Sequence, residues 1–115
     1  MMLCFILVSI FALANGDSNA VAFTRALVSH AQLTKGEVVK FDKIISNINT
    51  QFNSAGKFLV RIPGIYAFHF YSLSRNDQEI WLEFYKNNEY IVSIYAFTPE
   101  DWAGAGNTII LELKQ

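Results

Sequence analysis

The stretch PGIYAFHFYSLS, Pro63 to Ser74, decides the fold class. It begins with the Pro63-Gly64 turn signal and runs into residues rich in β-formers. In an extended chain alternate side chains face opposite ways. Tyr66, Phe68 and Phe70 therefore line one side, and Ile65, Ala67, His69, Tyr71 and Leu73 the other. Only His69 is plainly polar. An antiparallel sheet in a two-layer sandwich normally keeps one face wet, so a strand that is apolar on both faces asks for cover from outside the fold.

Outward from this strand the same grammar repeats. VAFTRALV (Val21 to Val28) and GEVVKFDKII (Gly36 to Ile45) read as strands, the second following a Thr-Lys-Gly turn. Asn, Ser and Gly then punctuate a turn that feeds a strand through Phe58, Leu59, Val60 and Ile62. IWLEFYK and YIVSIYAF flank Asn87-Asn88-Glu89 and form a β-hairpin, because Asn tolerates the positive φ of a tight turn. TPEDWAGAGN, Thr98 to Asn107, reads as a loop, and TIILELKQ as a last strand. Seven or so short strands with regular turn signals and no helical period predict an all-β, antiparallel jelly-roll sandwich.

YIVSIYAF shows the same oddity as the opening stretch, with Tyr90, Val92, Ile94 and Ala96 opposing Ile91, Ser93, Tyr95 and Phe97. Side by side, the two strands would make an apolar patch of roughly 500 Å², at or above what a soluble monomer shows. Covering it at about 25 cal/mol per Å² yields on the order of 12 kcal/mol per subunit, set against an association cost of ~4–15. The balance predicts an oligomer built on Ile65, His69, Tyr71, Tyr95 and Phe97. The alternative is cover by a loop or terminus of the same chain.

The chain has 115 residues, is 52% hydrophobic and carries a net charge of −1, which reads as one domain without the basic excess of a nucleic-acid binder. MMLCFILVSIFALANG has an apolar run of about 11 residues followed by small ones, the form of a secretory signal peptide over residues 1–16. Crossing a bilayer takes roughly 20 residues, so no membrane span is expected. Cleavage after Gly16, or equally after Ala14, would remove Cys4, the one cysteine. The secreted domain, residues 17–115, would then hold together without a disulfide.

Catalysis has little to stand on. Nucleophilic and metal sites need converging His, Cys or carboxylates, and the exported chain offers His30, His69 and no cysteine. No catalytic residue and no metal ligand set is assigned, and the protein is read as a non-enzyme. Trp102, beside Glu100 and Asp101 in a glycine-containing loop, is the candidate ligand-binding residue, since an indole offers a flat apolar platform next to charge. Packing of Trp102 on the sandwich edge is the competing reading.

The order of features resembles the globular-head domain of complement C1q, within the C1q/tumour necrosis factor-like family. The resemblance covers Val21 to Gln115 and rests on Phe41, Asn47, Phe52, Phe58, Gly64, Tyr66, Phe68 and Phe70. Ala22-Phe23, Lys86-Asn87 and Leu111-x-Leu113 support it. Phe52 and Phe58 stand one residue closer than the family pattern, a shortened turn at Asn53 to Gly56. The family also continues past its Leu-x-Leu segment into two further strands, which sit inside the two sheets.

Their absence from these residues implies a C-terminally incomplete gene model, a smaller closed fold, or strands donated by a neighbouring chain, the first being favoured. The resemblance further implies a homotrimer or hetero-trimer about an axis near Tyr66 and Tyr95. Its ligands would be microbial or carbohydrate surfaces in innate recognition, or a cell-surface receptor if the chain is a signalling relative. No cofactor is expected, with calcium left open because some relatives bind it through loop oxygens. Glu100 and Asp101 would supply two of the roughly six to eight oxygens it needs. A truncated fragment with no fold of its own is the remaining reading.

Overall fold

A computed structural model describes residues 2–12, 20–28, 31–75 and 77–115, with side chains described from residue 20 onward except at 31 and 32. Ten strands make up the described part: β1 (Met2–Ala12), β2 (Val21–Ala26), β3 (Ala31–Leu33), β4 (Lys43–Ile48), β5 (Gln51–Phe52), β6 (Phe58–Leu59), β7 (Gly64–Ser74), β8 (Gln78–Lys86), β9 (Glu89–Thr98) and β10 (Ala103–Leu113). All pairings are antiparallel. The main sheet runs β10-β7-β1-β2-β4, with β3 also on β1, and β5-β6 and β8-β9 form separate two-stranded sheets.

The core lies between β7 and the β8-β9 hairpin. Tyr66, Phe68 and Phe70 point inward and are buried, as the alternation in Pro63 to Ser74 requires. Phe84 of β8 meets Phe68 at 5.0 Å and Phe70 at 5.9 Å between ring centroids. Phe23, Phe52 and Phe58 form one aromatic cluster, with centroid separations from 4.8 to 5.6 Å, and Phe58 reaches Tyr66 and Phe68. Phe52, Phe58, Tyr66 and Phe68 of the spacing read from the sequence thus meet in one packed cluster. Asn53 caps the shortened turn, its Oδ1 accepting from the Ala55 and Lys57 amides at 3.0 Å each. Tyr66 donates its hydroxyl to the Ile62 carbonyl.

Three expectations are corrected. Gly36 to Ile45 is not one strand: residues 37–42 are irregular and β4 starts at Lys43. Asp42 there accepts a hydrogen bond from the Val28 amide at 2.9 Å, while Val39 and Phe41 pack on the Leu27, Ile80 and Ala96 cluster, so this stretch is held by side chains instead of a ladder. The loop read from Thr98 to Asn107 ends earlier, and β10 already begins at Ala103. Glycine weakens a strand unless something packs over it. Here Tyr71 does: a Cβ on Gly106 would stand 2.9 Å from Tyr71 Cδ2, and one on Gly104 would meet the Tyr71 hydroxyl.

The third correction concerns the strands taken as neighbours. β7 pairs with β1 and β10, and β9 pairs with β8, so they do not lie side by side. Residues read as a leader form β1, which pairs with β7 from Cys4 to Ala12 and with β2 from Leu7 to Ala12, closing a sheet that would otherwise fall into two pieces. The proposed cleavage sites after Ala14 and Gly16, and His30, lie outside the described residues.

Candidate binding surfaces

The outward face of β7 carries Ile65, His69 and Tyr71, all exposed. Cross-strand pairing adds β10 residues to the same face: Ile110 opposite Ala67, Thr108 opposite His69 and Gly106 opposite Tyr71. Ile110 is 70% exposed and Ile65 60%. His69 Nδ1 and Thr108 Oγ1 are 2.7 Å apart, which fixes the imidazole in the middle of the patch. The surface is apolar and, through Ala67, Gly104, Gly106 and Thr108, flat.

Tyr95 and Phe97 are exposed too, but on a different surface. They point away from the core on β9, whose inward residues are the buried Ile94 and Ala96. Their neighbours are on β8: Trp81 lies opposite Tyr95 with ring centroids 6.0 Å apart, edge to face, and Glu79 lies opposite Phe97. The five residues expected to form one patch are therefore divided between the two outer faces of the sandwich. Tyr66, named as marking the assembly axis, is 2% exposed and belongs to the core.

Glu100, Asp101 and Trp102 form the exposed β9-β10 connection. Thr98 Oγ1 donates to the Glu100 carbonyl at 2.5 Å, and Asp101 turns the chain with φ of 71°. Trp102 is about half exposed at 48%. No group of three or more His, Cys, Asp or Glu residues converges among the described residues. No helix among them is long and apolar enough to cross a membrane.

Sequence reading missed a fourth surface. A cleft between β2, the irregular segment at 37–42 and the turn at 53–56 is lined by Arg25, Lys40, Phe41, Phe52, Asn53, Ser54 and Gly56. Arg25 stacks its guanidinium 3.6 Å from the centre of the Phe52 ring. Burial lowers the Arg25 pKa from its ordinary value, and burial raises that of Tyr66. The cleft's residues come from three separate elements between Arg25 and Gly56, so no local pattern in the sequence announces it.

A described chain with no helix, antiparallel strands throughout and an aromatic core between two layers is an all-β sandwich consistent with the jelly roll. The C1q domain profile matches residues 22–115, and the chain belongs to the C1q domain family. It is similar to the B-type subcomponent of complement C1q from Mus musculus, 32% identical over 63 residues, covering 54% of this chain and 25% of that protein. The B-type subcomponent of Homo sapiens is 30% identical over 66 residues, covering 54% and 26%. Complement C1q tumor necrosis factor-related protein 1 of Mus musculus is 32% identical over 78 residues, covering 67% and 28%. The matched part thus spans about a quarter of the length of these curated relatives. No solved structure matches.

Proposed function

We propose that this chain is a secreted, non-enzymatic C1q-like recognition module that works as a trimer, homomeric or with related chains. The observation that carries the assembly is the uncovered apolar face of β7 and β10. Ile65, Tyr71 and Ile110 together expose on the order of 350 Å², whose burial at about 25 cal/mol per Å² is worth roughly 9 kcal/mol for each copy. That lies within the ~4–15 kcal/mol that association costs. The hairpin's outer face is also aromatic, but Glu79 and Glu83 stand among its rings, and charge is depleted from the centres of interfaces. The smooth face is thus assigned to packing between copies.

The exposed loop with Glu100, Asp101 and Trp102 is then the ligand-facing element, with microbial or carbohydrate surfaces as its targets; calcium, where it takes part, would use the two carboxylates. Residues 1–16 serve export. A second reading, a signalling ligand for a cell-surface receptor, is favoured by one observation: the match to the tumor necrosis factor-related protein spans more of the chain than the match to the complement subcomponent. Sedimentation of the secreted protein tests the assembly, and a cooperative monomer would refute it. Glycan or bacterial binding that is competed by sugar or lost with a chelator supports recognition, whereas one saturable receptor on cells supports signalling.

A further inference from the structure

The cleft at Arg25 has the construction of a small-ligand site. Among the described residues neither Arg25 nor Lys40 is paired with a carboxylate, and no acidic side chain lines the cleft. Two cations thus face a space of about 160 Å³ without a counter-charge. Arg25 Nε is buried and lacks a hydrogen-bond partner, an arrangement native proteins rarely leave without a reason. The Phe52 ring holds the guanidinium in one plane, so its fork is oriented before anything binds.

The backbone is shaped to the same end. Ladder pairing between β2 and β4 steps from Thr24 opposite Ser46 to Arg25 opposite Ile44, leaving Ile45 without a partner. A bulge of this kind re-aims the side chains beside it. On the other wall Gly56 has φ of +83° and lies so close to Lys40 that a Cβ would stand 3.0 Å from Lys40 Cγ. Glycine there lets the turn fold over the lysine stem. Asn53 commits its oxygen to the Ala55 and Lys57 amides, which leaves its carboxamide nitrogen, with the Ser54 hydroxyl, as a neutral donor at the rim. Phe41 supplies a second apolar wall.

We propose that this cleft binds a small ligand bearing an oxyanion group on a sugar ring, of the size of one sugar acid or sugar phosphate. Arg25 grips the oxyanion through its fork, Lys40 adds a point charge, and the Phe41 wall takes the ring's less polar face. The site is separate from the Glu100 to Trp102 loop and does not depend on the assembly.

The test is an amide-resolved NMR titration of the full chain with D-glucuronate, glucose 6-phosphate and neutral glucose. Saturable shifts at Arg25, Lys40, Asn53 and Gly56 with either acid, and none with glucose, are expected, and the stronger acid tells carboxylate from phosphate. Lys40→Gln alters an exposed residue whose loss the fold tolerates, and should weaken binding by about tenfold. Arg25→Gln should weaken it at least as much. Absence of saturation with both acids, equal shifts with glucose, or an unchanged affinity in Lys40→Gln would each overturn the assignment.

Discussion

Replacing Val8 by proline in the uncut chain probes the role of β1 directly. Val8 lies at the centre of the strand, opposite Arg25 on β2 and Phe70 on β7. With neighbours on both sides, each interior residue of β1 commits its N–H to one ladder. Proline removes that donor and leaves a carbonyl of the facing strand unsatisfied, at about 1–3 kcal/mol, in addition to a lost bond worth about 1. A total near 3 kcal/mol is a large part of the roughly 5–15 that holds a small domain together. For a chain of this size it lowers Tm by roughly 10–20 °C. Thermal unfolding followed by circular dichroism reads the shift, and hydrogen exchange should show the β7 amides losing protection first. An unchanged Tm would mean that β1 does not close the sheet, and that β2 and β7 are joined some other way.

Four further outcomes follow from the packing. Phe68→Ala removes a ring buried among Phe58, Tyr66 and Phe84, and chemical denaturation should register a loss of about 3–5 kcal/mol. Gly106→Ala overpacks Tyr71 by about 1–3 kcal/mol, and the Tyr71→Ala background should relieve most of that cost in a double-mutant cycle. Ile110→Glu places a charge at the centre of the smooth face and should shift sedimentation toward the monomer with the melt of the single copy nearly unchanged. Burial raises the Tyr66 pKa, so the folded state holds its proton more tightly than the unfolded one. That contribution is intact below the ordinary tyrosine value of about 10 and fades as pH rises past it. Tyr66→Phe should flatten the alkaline limb of a stability-against-pH curve.

Strand existence, the inward set of β7 and the Asn87-Asn88 hairpin are legible because each is governed by local chemistry. Both asparagines have positive φ, 49° and 66°, as a two-residue turn between twisted strands demands. The start of β10 is not legible, because glycine reads as a loop until the residue covering it is known, and Tyr71 stands on another strand. The split of Tyr95 and Phe97 from Ile65, His69 and Tyr71 has a similar cause. Alternation tells which residues share a face of their own strand but not which strands share a sheet. The Arg25 cleft is further from reach still, since it depends on a bulge in one ladder and a left-handed glycine in a turn thirty residues away.

One segment answers to two physical descriptions at once. A largely apolar run of about eleven residues, broken only by Ser9, suits the hydrophobic region of a leader, and it equally suits a strand with neighbours on both edges. The pairing of Met2–Ala12 between β2 and β7 uses the second property, and the proposed export would use the first. Under that proposal the two would be linked by cleavage. Taking residues 1–16 away frees six positions on β2 and nine on β7 from their ladders. At about 1 kcal/mol for each lost backbone bond, that approaches the entire stability of the domain. A chain cleaved there would have to recruit another extended segment into the slot or come apart. β8 faces the same demand, since among the described residues it pairs only with β9 and keeps its other edge open. Hydrogen exchange on the cleaved chain separates the outcomes: protection of β2 and β7 amides means the slot has been refilled, and rapid exchange across both means the sheet has divided there.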